Sequence, residues 1–293
     1  MNFAARLILA MLWLVHWLPV GWQSRLGAGL GWLLHRLARS RRHIAQRNVD
    51  LCLPELDAAA RARLVREHFR WLGRSILERG LYWYAPRHRL ERLIEVEGDI
   101  GLAERTPGPV MWLVPHLLGL EAAGLAVQLL QRRPACDVYQ RQTNAVFEAA
   151  VHAGRQRFGS SLLLPRDDGV KPLLRAIRDE GRAFFNMPDM DFGPRDAAFV
   201  PFFGVPAATL LAPSRMARAL GMTVQPVVAE MLNAGGWRVR FLPPLPGWPT
   251  NDALADTRRM NAWIESEVRR NPAQYLWVHK RFKTRPPGAP ALY

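Results

Sequence analysis

The feature that most constrains the fold is an alternation of short apolar runs with helix-like segments, beginning near residue 93. Runs such as 110–114 and 183–186 are apolar throughout and short, which is typical of buried strands. Strands alternating with helices favour an α/β fold, with a central, mostly parallel sheet flanked by helices. The predicted strands are 93–97, 110–114, 137–139, 161–164, 183–186, 223–229 and 239–242. The predicted helices are 57–84, 121–130, 144–158, 170–178, 209–220 and 254–269.

The first forty residues are apolar and rich in tryptophan. Residues 7–22 contain no Arg, Lys, Asp or Glu, and a second apolar patch leads into an arginine cluster that begins at Arg36. A spanning helix needs about 20 residues and rarely fewer than roughly 17, so the segment suits a short span or an interfacial helix. We predict an N-terminal membrane-anchoring helix with a basic juxtamembrane segment in 1–40, followed by a catalytic domain in 41–293. The alternative is an apolar N-terminal helix of a soluble domain.

The charge of the chain limits its partners. There are 40 Lys and Arg against 25 Asp and Glu, which gives a net charge of +15. Such an excess favours an acidic partner: nucleic acid, anionic lipid, phosphate or an acidic protein. The two cysteines, Cys52 and Cys136, have neither metal-ligand spacing nor a disulfide framework, and no metal site is predicted.

A histidine and a carboxylate follow the apolar run at 110–114. His116 comes directly after Pro115, and Glu121 lies five positions later. Residues five apart on a helix do not share a face, so we place His116 in a strand-to-helix turn and Glu121 in the first helical turn, within reach of the imidazole. Open α/β sheets place their sites at such strand ends. A carboxylate makes a histidine a better base, so the pair is a candidate catalytic dyad. The alternative is a helix-start glutamate beside an unrelated surface histidine.

Two later loops contain candidate substrate-binding residues. Arg141 precedes a predicted helix with Asn144 as its N-cap. Such a place attracts anions through the donor fork of the guanidinium and through the helix dipole with its free N–H groups. Asp189 and Asp191 lie two apart in a Pro/Gly loop that also contains Arg195. A lone Asp-x-Asp is weak evidence for a metal, so we favour hydroxyl binding and fixing of the loop.

Two further segments leave alternatives open. The aromatic run at 199–206 suits either an acyl-chain groove or core packing. The cationic run at 279–285 suits nucleic acid, lipid phosphate or an acidic carrier protein.

Together these segments resemble the bacterial lipid A biosynthesis acyltransferases, the lauroyl and myristoyl transferases within the glycerolipid acyltransferase superfamily. The resemblance runs from the N-terminal segment to the last residues. It rests on His-x4-Glu at 116–121, the Tyr-x-Arg region at 139–141, Pro-Asp-x-Asp-x-Gly-Pro-Arg at 188–195, Phe-Val-Pro-Phe-Phe-Gly at 199–204 and Trp-Val-His-Lys-Arg-Phe-Lys-Thr-Arg-Pro at 277–286. One departure is Gln140, which separates Tyr139 from Arg141 where family members often have Tyr-Arg.

The resemblance implies a glycerolipid acyltransferase-like fold and a single-pass or monotopic enzyme of the bacterial inner membrane, with its catalytic domain on the cytoplasmic face. Such an enzyme transfers a fatty acyl chain from acyl carrier protein to a hydroxyl of a lipid A precursor, without a cofactor. His116 matches the family's catalytic histidine and Glu121 its acid. Arg141 and Asp189 match positions near the acceptor pocket.

The expected partners are acyl carrier protein, anionic membrane lipid and the lipid A precursor, with Arg141 and Arg195 holding acceptor phosphate. We expect a monomer that does not bind nucleic acid. One alternative is an acyltransferase acting on another membrane lipid, such as a glycerophosphate, ornithine or glycosyl lipid. The other is a basic, membrane-anchored binding protein for nucleic acid or anionic lipid.

Overall fold

The computed structural model describes residues 2–159 and 161–293, which form an α/β fold around a seven-stranded sheet. Its helices are α1 (Asn2–Val15), α2 (Val20–Leu37), α3 (Arg39–Cys52), α4 (Ala58–Tyr84), α5 (Arg87–Glu91), α6 (Leu102–Arg105), α7 (Leu120–Leu130), α8 (Ala145–Arg155), α9 (Val170–Arg178), α10 (Ala212–Ala219) and α11 (Ala253–Arg270). Its strands are β1 (Ile94–Gly98), β2 (Val110–Leu113), β3 (Ala135–Tyr139), β4 (Leu162–Pro165), β5 (Ala183–Asn186), β6 (Ala197–Phe202), β7 (Val205–Leu210), β8 (Thr223–Met231) and β9 (Trp237–Phe241).

The main sheet is mostly parallel, as predicted. Its strand order is β1-β9-β8-β2-β5-β3-β4. The five strands from β8 to β4 are parallel to one another, whereas β9 pairs antiparallel with β8, and β1 lies parallel to β9. The carboxyl ends of β2, β5, β3 and β4 therefore meet at one edge of the sheet.

The central strand β2 is buried on both faces, which explains its unbroken apolar sequence. Trp112 belongs to a core formed with α4 and α7. Met111 and Leu113 face the other way, into a core formed with α3, α9 and α11. Helices therefore cover both faces of the sheet, and the predicted flanking helices are confirmed.

The N-terminal helices pack against the long helix α4. Gly27 and Gly31 of α2 meet Gly73 of α4 so closely that a Cβ added at Gly31 would lie 2.0 Å from the carbonyl oxygen of Phe69. No helix in residues 2–159 and 161–293 is long and apolar enough to cross a membrane, so the structure does not support a spanning anchor. Many large apolar side chains of this N-terminal region are nevertheless exposed: Phe3, Leu7, Ile8, Met11, Trp13, Leu14, Trp17, Trp22, Leu26, Trp32, Leu33 and Leu37.

One predicted boundary is wrong, and a hairpin before it was not predicted. The helix expected at 209–220 begins only at Ala212, because residues 197–210 form the antiparallel hairpin β6–β7. Its two-residue turn, Phe203-Gly204, has positive φ at both positions, as a type I′ turn requires. The hairpin also decides between the two interpretations of 199–206. Phe202 and Phe203 are buried in the core, which is the packing alternative.

Candidate active site

His116 lies in the turn between β2 and α7, where the sequence placed it. The Val114 N–H donates to the Asn186 carbonyl at 2.9 Å, so the sheet pairing continues up to the turn. Gly119 begins α7 against strand β8, where an added Cβ would lie 2.7 Å from the Ala229 carbonyl oxygen. Only glycine allows this close approach, which brings the start of α7 tightly against the sheet.

Asp189 is the carboxylate that binds His116. The Nδ1 of His116 lies 2.6 Å from Oδ1 of Asp189, and the backbone N–H of His116 donates to Oδ2 at 2.9 Å. Asp189 is fully buried, whereas the His116 side chain is 18% exposed. An anionic Asp189 accepts a hydrogen bond from the Nδ1–H group of His116. The proton of the neutral ring is then on Nδ1, and Nε2 is the nitrogen that can take a proton.

The ionised form of Asp189 is favoured by its surroundings. Burial opposes the charge, but His116 and the hydrogen bonds from its ring and backbone hold the pKa of Asp189 below its usual range. A buried carboxylate with both oxygens engaged is well placed to orient the imidazole and stabilise its cation. The expected binding of a substrate hydroxyl by Asp189 stays a prediction; in the structure both of its oxygens contact His116.

Glu121 lies in the first turn of α7, as predicted, but its predicted contact with His116 is wrong. Its carboxylate pairs with Arg155 of α8, whose Nε donates at 3.1 Å to Oε2 while Nη2 donates to Oε1. The fork of a guanidinium matches a carboxylate better than a histidine does, and Asp189 already occupies Nδ1 of His116. Burial opposes the charge of Glu121, but Arg155 holds the pKa of Glu121 below its usual range.

Asp191 fixes the loop that contains Asp189. Its carboxylate accepts the Thr284 N–H at 2.6 Å, the Thr284 hydroxyl at 2.8 Å and the Gly193 N–H at 3.0 Å. Of the two roles expected for Asp191, the structure shows loop-fixing. Its predicted substrate binding finds no support in these contacts, because its oxygens are bound to the protein itself.

The C-terminal segment closes over the histidine turn. The Leu276 N–H donates to the His116 carbonyl at 3.1 Å, and the Leu118 N–H donates to the Gln274 carbonyl at 2.8 Å. Burial, together with the neighbouring His116, lowers the pKa of His279 to about 4, so this imidazole is neutral. The run at 279–285 is thus not simply a solvated cationic patch: Arg281 is buried and donates to the Ala208 carbonyl at 2.9 Å.

Arg141 and Arg195 are both exposed; Arg141 lies at the carboxyl edge of the sheet, and Arg195 lies in the loop between β5 and β6. Arg141 follows β3, and its Nη2 donates to Asp168 at 3.1 Å. Asn144 caps α8 as predicted, by accepting the N–H groups of Val146 and Phe147. Because β3 pairs with β5, the Arg141 loop neighbours the loop with Asp189.

Sequence reasoning missed Arg166, which follows β4 at the same edge. Its guanidinium lies 4.7 Å from the ring centroid of Phe192 and donates to the Phe192 carbonyl at 3.2 Å. Its place at the end of a parallel strand was the signal that could have found it.

A cleft opens beside Glu121, between α7, α8, the end of α4 and the sheet. Leu120, Glu121 and Gly124 line one wall, and Phe185 and Met187 come from β5 and the residues after it. This cleft could not be predicted from the sequence, because its walls come from elements that are distant in the chain. Among the described residues, no three His, Cys, Asp or Glu side chains cluster in a way that could hold a metal ion.

Comparison with known proteins decides the family. The family described as bacterial lipid A biosynthesis acyltransferase matches residues 2–284. The chain belongs to this family. It is an acyltransferase, as the resemblance implied.

Three relatives of the acyltransferase come from Escherichia coli strain K12. The lipid A biosynthesis lauroyltransferase is 34% identical over 292 residues, covering 97% of this chain and 93% of the relative. The palmitoleoyltransferase is 32% identical over 289 residues, covering 97% and 92%. The myristoyltransferase is 29% identical over 274 residues, covering 92% and 84%. The names of these relatives differ in the acyl chain that is transferred.

Proposed function

We propose that the acyltransferase moves a fatty acyl chain from acyl carrier protein to a hydroxyl of a lipid A precursor. The observation that carries the proposal is the His116–Asp189 pair at the carboxyl end of the central strand, in a chain of this family. The relatives named as lauroyl, palmitoleoyl and myristoyl transferases of lipid A biosynthesis support this reaction class.

In the proposed reaction, His116 acts as the general base. Nε2 removes the proton of the acceptor hydroxyl while its oxygen attacks the thioester carbonyl, so that a C–O bond forms and the C–S bond breaks. Asp189 stabilises the imidazolium, which then returns the proton to the leaving thiolate. A positioned base of this kind contributes about 10²–10⁴-fold in rate. No metal or cofactor is needed, because a thiolate is a good leaving group.

Glu121 retains a proposed role in catalysis, although a different one from that expected. Its pairing with Arg155 fixes two charged groups in the lining of the cleft, one turn away from the histidine turn. We assign it to positioning the acyl donor rather than to direct contact with His116.

The acceptor would be held by the cations along the carboxyl edge of the sheet. Arg141 is exposed there, and Arg195, which is exposed in the loop between β5 and β6, makes no ion pair within the described parts of the chain. An arginine fork binds phosphate with two parallel hydrogen bonds, which suits a phosphorylated glycolipid. Arg166 adds a third guanidinium at this edge.

The N-terminal region would place the enzyme on the cytoplasmic face of the inner membrane. The exposed apolar side chains of α1 and α2 suit an interfacial pair of helices, and tryptophan favours the membrane interface. The guanidinium of Arg36 lies 4.5 Å from the ring centroid of Trp32, where a cation can meet anionic headgroups. Residues 1–40 then act as the anchoring unit and residues 41–293 as the catalytic unit. The net charge of +15 would also attract acyl carrier protein.

The reaction is tested with purified acyltransferase, acyl carrier protein thioesters and a lipid A precursor, with the products followed by mass spectrometry. We expect the precursor to gain the mass of one acyl chain, and His116→Ala to abolish this gain while His88→Ala, an exposed histidine on α5, keeps it. Undiminished transfer by folded His116→Ala would refute the mechanism. A deletion strain with fully acylated lipid A but another altered lipid would favour the alternative acceptor.

A further inference from the structure

The cleft beside Glu121 follows one face of α7 away from the histidine turn. Leu120, Gly124 and Gln128 all line it, and they recur every four residues, which places them on one side of the helix. At about 1.5 Å per residue, the stretch from Leu120 to Gln128 spans roughly 12 Å. One end of this face therefore lies beside the histidine turn, and the other reaches toward the opposite edge of the sheet.

Gly124 is a glycine that packing does not require. A Cβ added there would have nothing within 4 Å, and its φ is not in the left-handed region. Gly154 on the opposite wall is different, because its added Cβ would lie 2.1 Å from Cδ1 of Trp83. Glycine is a poor helix former compared with alanine, so a glycine inside α7 with open space around it indicates that the space itself is used.

The walls around Gly124 suit an alkyl chain. Tyr82, Leu125, Leu163 and Phe185 present apolar surface to the cleft, while Glu121, Asp137 and Arg155 form a charged part of its lining. The cavity volume is about 60 Å³. A water-sized group occupies roughly 10–15 Å³ on this measure, so the cleft is narrow and one added methyl group removes a substantial part of it.

Gln128 supplies a polar end to this apolar path. It lies one turn beyond Gly124, and its Oε1 is buried without a hydrogen-bond partner in the described structure. An alkyl chain that reached this oxygen would prevent water from satisfying it, which is unfavourable. The apolar part of the cleft therefore ends near Gln128.

We propose that Gly124 is a specificity-determining residue: the donor's acyl chain passes over it, and the absence of a side chain there sets the longest chain that the cleft accepts. This inference rests on the proposed function. Each buried methylene changes the dissociation constant of the acyl chain by about fourfold. A cleft shortened by a side chain therefore discriminates between neighbouring chain lengths.

The test measures kcat/KM of the full-length enzyme with acyl carrier protein thioesters of increasing saturated chain length. We expect Gly124→Leu to move the preferred chain to a shorter one, with the longest chains losing at least tenfold relative to the shortest. Gly124→Ala should move it in the same direction by less. Gln128→Leu should move the preference toward longer chains. The control is Ala59→Leu, at an exposed alanine in the first turn of α4, and its profile should equal that of the wild type.

Folding is monitored by thermal melting, and Gly124→Ala should raise Tm by about 1–3 °C through helix propensity. Equal loss with every chain length, or an unchanged profile in folded Gly124→Leu and Gly124→Ala, would overturn the inference while leaving the proposed function intact. A wild-type enzyme that uses none of the thioesters would overturn both.

Discussion

Asp189 binds His116 through both of its carboxylate oxygens, one at the ring Nδ1 and one at the backbone N–H. This double contact fixes the plane of the imidazole and the position of its proton together. An amide at position 189 has one acceptor oxygen where the carboxylate has two, so it cannot accept both hydrogen bonds from His116.

The first prediction concerns Asp189→Asn. If the amide oxygen accepts the His116 backbone N–H, its NH₂ group faces Nδ1, which must then accept and leave the proton on Nε2. The base is lost although the side chains keep their places, so we expect kcat to fall by about 10³–10⁴-fold. Steady-state acyl transfer measures this, with Asp167→Asn at an exposed position as the control. A loss smaller than tenfold would show that Asp189 does not hold the base.

The second prediction concerns the pair formed by Glu121 and Arg155. Each side chain is only about a quarter exposed, so Glu121→Gln leaves a largely enclosed guanidinium with only the more distant Asp137 carboxylate, at 3.8 Å. We expect a loss of about 3 kcal/mol in the free energy of unfolding, near the lower end for breaking a buried pair. In chemical denaturation, the double variant Glu121→Gln with Arg155→Met should lose less than the sum of the losses of the two single variants. Strictly additive losses would mean that the two side chains do not interact.

The third prediction concerns pH and His68, which is fully buried and whose Nδ1 lies 3.0 Å from the Ala273 carbonyl oxygen. Burial lowers the pKa of His68 to about 4 from its ordinary 6.5. Between pH 6.5 and 4, His68 is protonated in the unfolded chain but not in the folded chain. Its contribution to the free energy of unfolding is therefore fully present above pH 6.5 and falls as the pH drops toward 4. The loss is roughly 3 kcal/mol. Urea unfolding at several pH values should show this fall in the wild type and a shallower one in His68→Gln. Parallel curves for the two proteins would contradict the assignment.

The fourth prediction concerns the apolar surface of α2. Replacing Trp32 with Ser, or Leu37 with Ser, should weaken binding to anionic lipid vesicles by about tenfold each, because these exposed side chains lose burial in the interface. Leu130→Ser is the matched control, since Leu130 is an exposed leucine at the end of α7. Vesicle sedimentation measures the binding. If the control weakens binding as much as Leu37→Ser does, α2 is not the membrane surface.

Much of the fold could be predicted because its strands and helices carry strong local patterns. Helix α9 and strand β5 begin and end where the sequence placed them. The hairpin β6–β7 was missed because its turn uses Phe203 at a positive φ, where asparagine or glycine is the usual sequence signature. The buried contacts of Phe203 with Phe202 and Trp277 hold it there, and these contacts are not visible in the local sequence.

For the candidate site, the sequence predicted the turn that contains His116 but not the contacts between residues distant in the chain. The turn at His116 follows from an apolar strand that ends at proline and histidine. The carboxylate that pairs with His116 could not be predicted in this way, because Asp189 is 73 residues away in the chain. The pairing of β2 with β5, in which Leu113 lies beside Asn186, brings the two residues together. Glu121 is the nearest carboxylate in the sequence, but in the structure it pairs with Arg155, which lies 34 residues further on.

The pairing of His116 with Asp189 is tested most directly by the protonation of the His116 ring, observed by heteronuclear NMR of the intact, histidine-labelled acyltransferase. In the neutral ring we predict a proton on Nδ1 and none on Nε2. Asp189→Asn should move this proton to Nε2, while Glu121→Gln should leave it on Nδ1. A ring proton that stays on Nδ1 in Asp189→Asn and moves in Glu121→Gln would contradict the account.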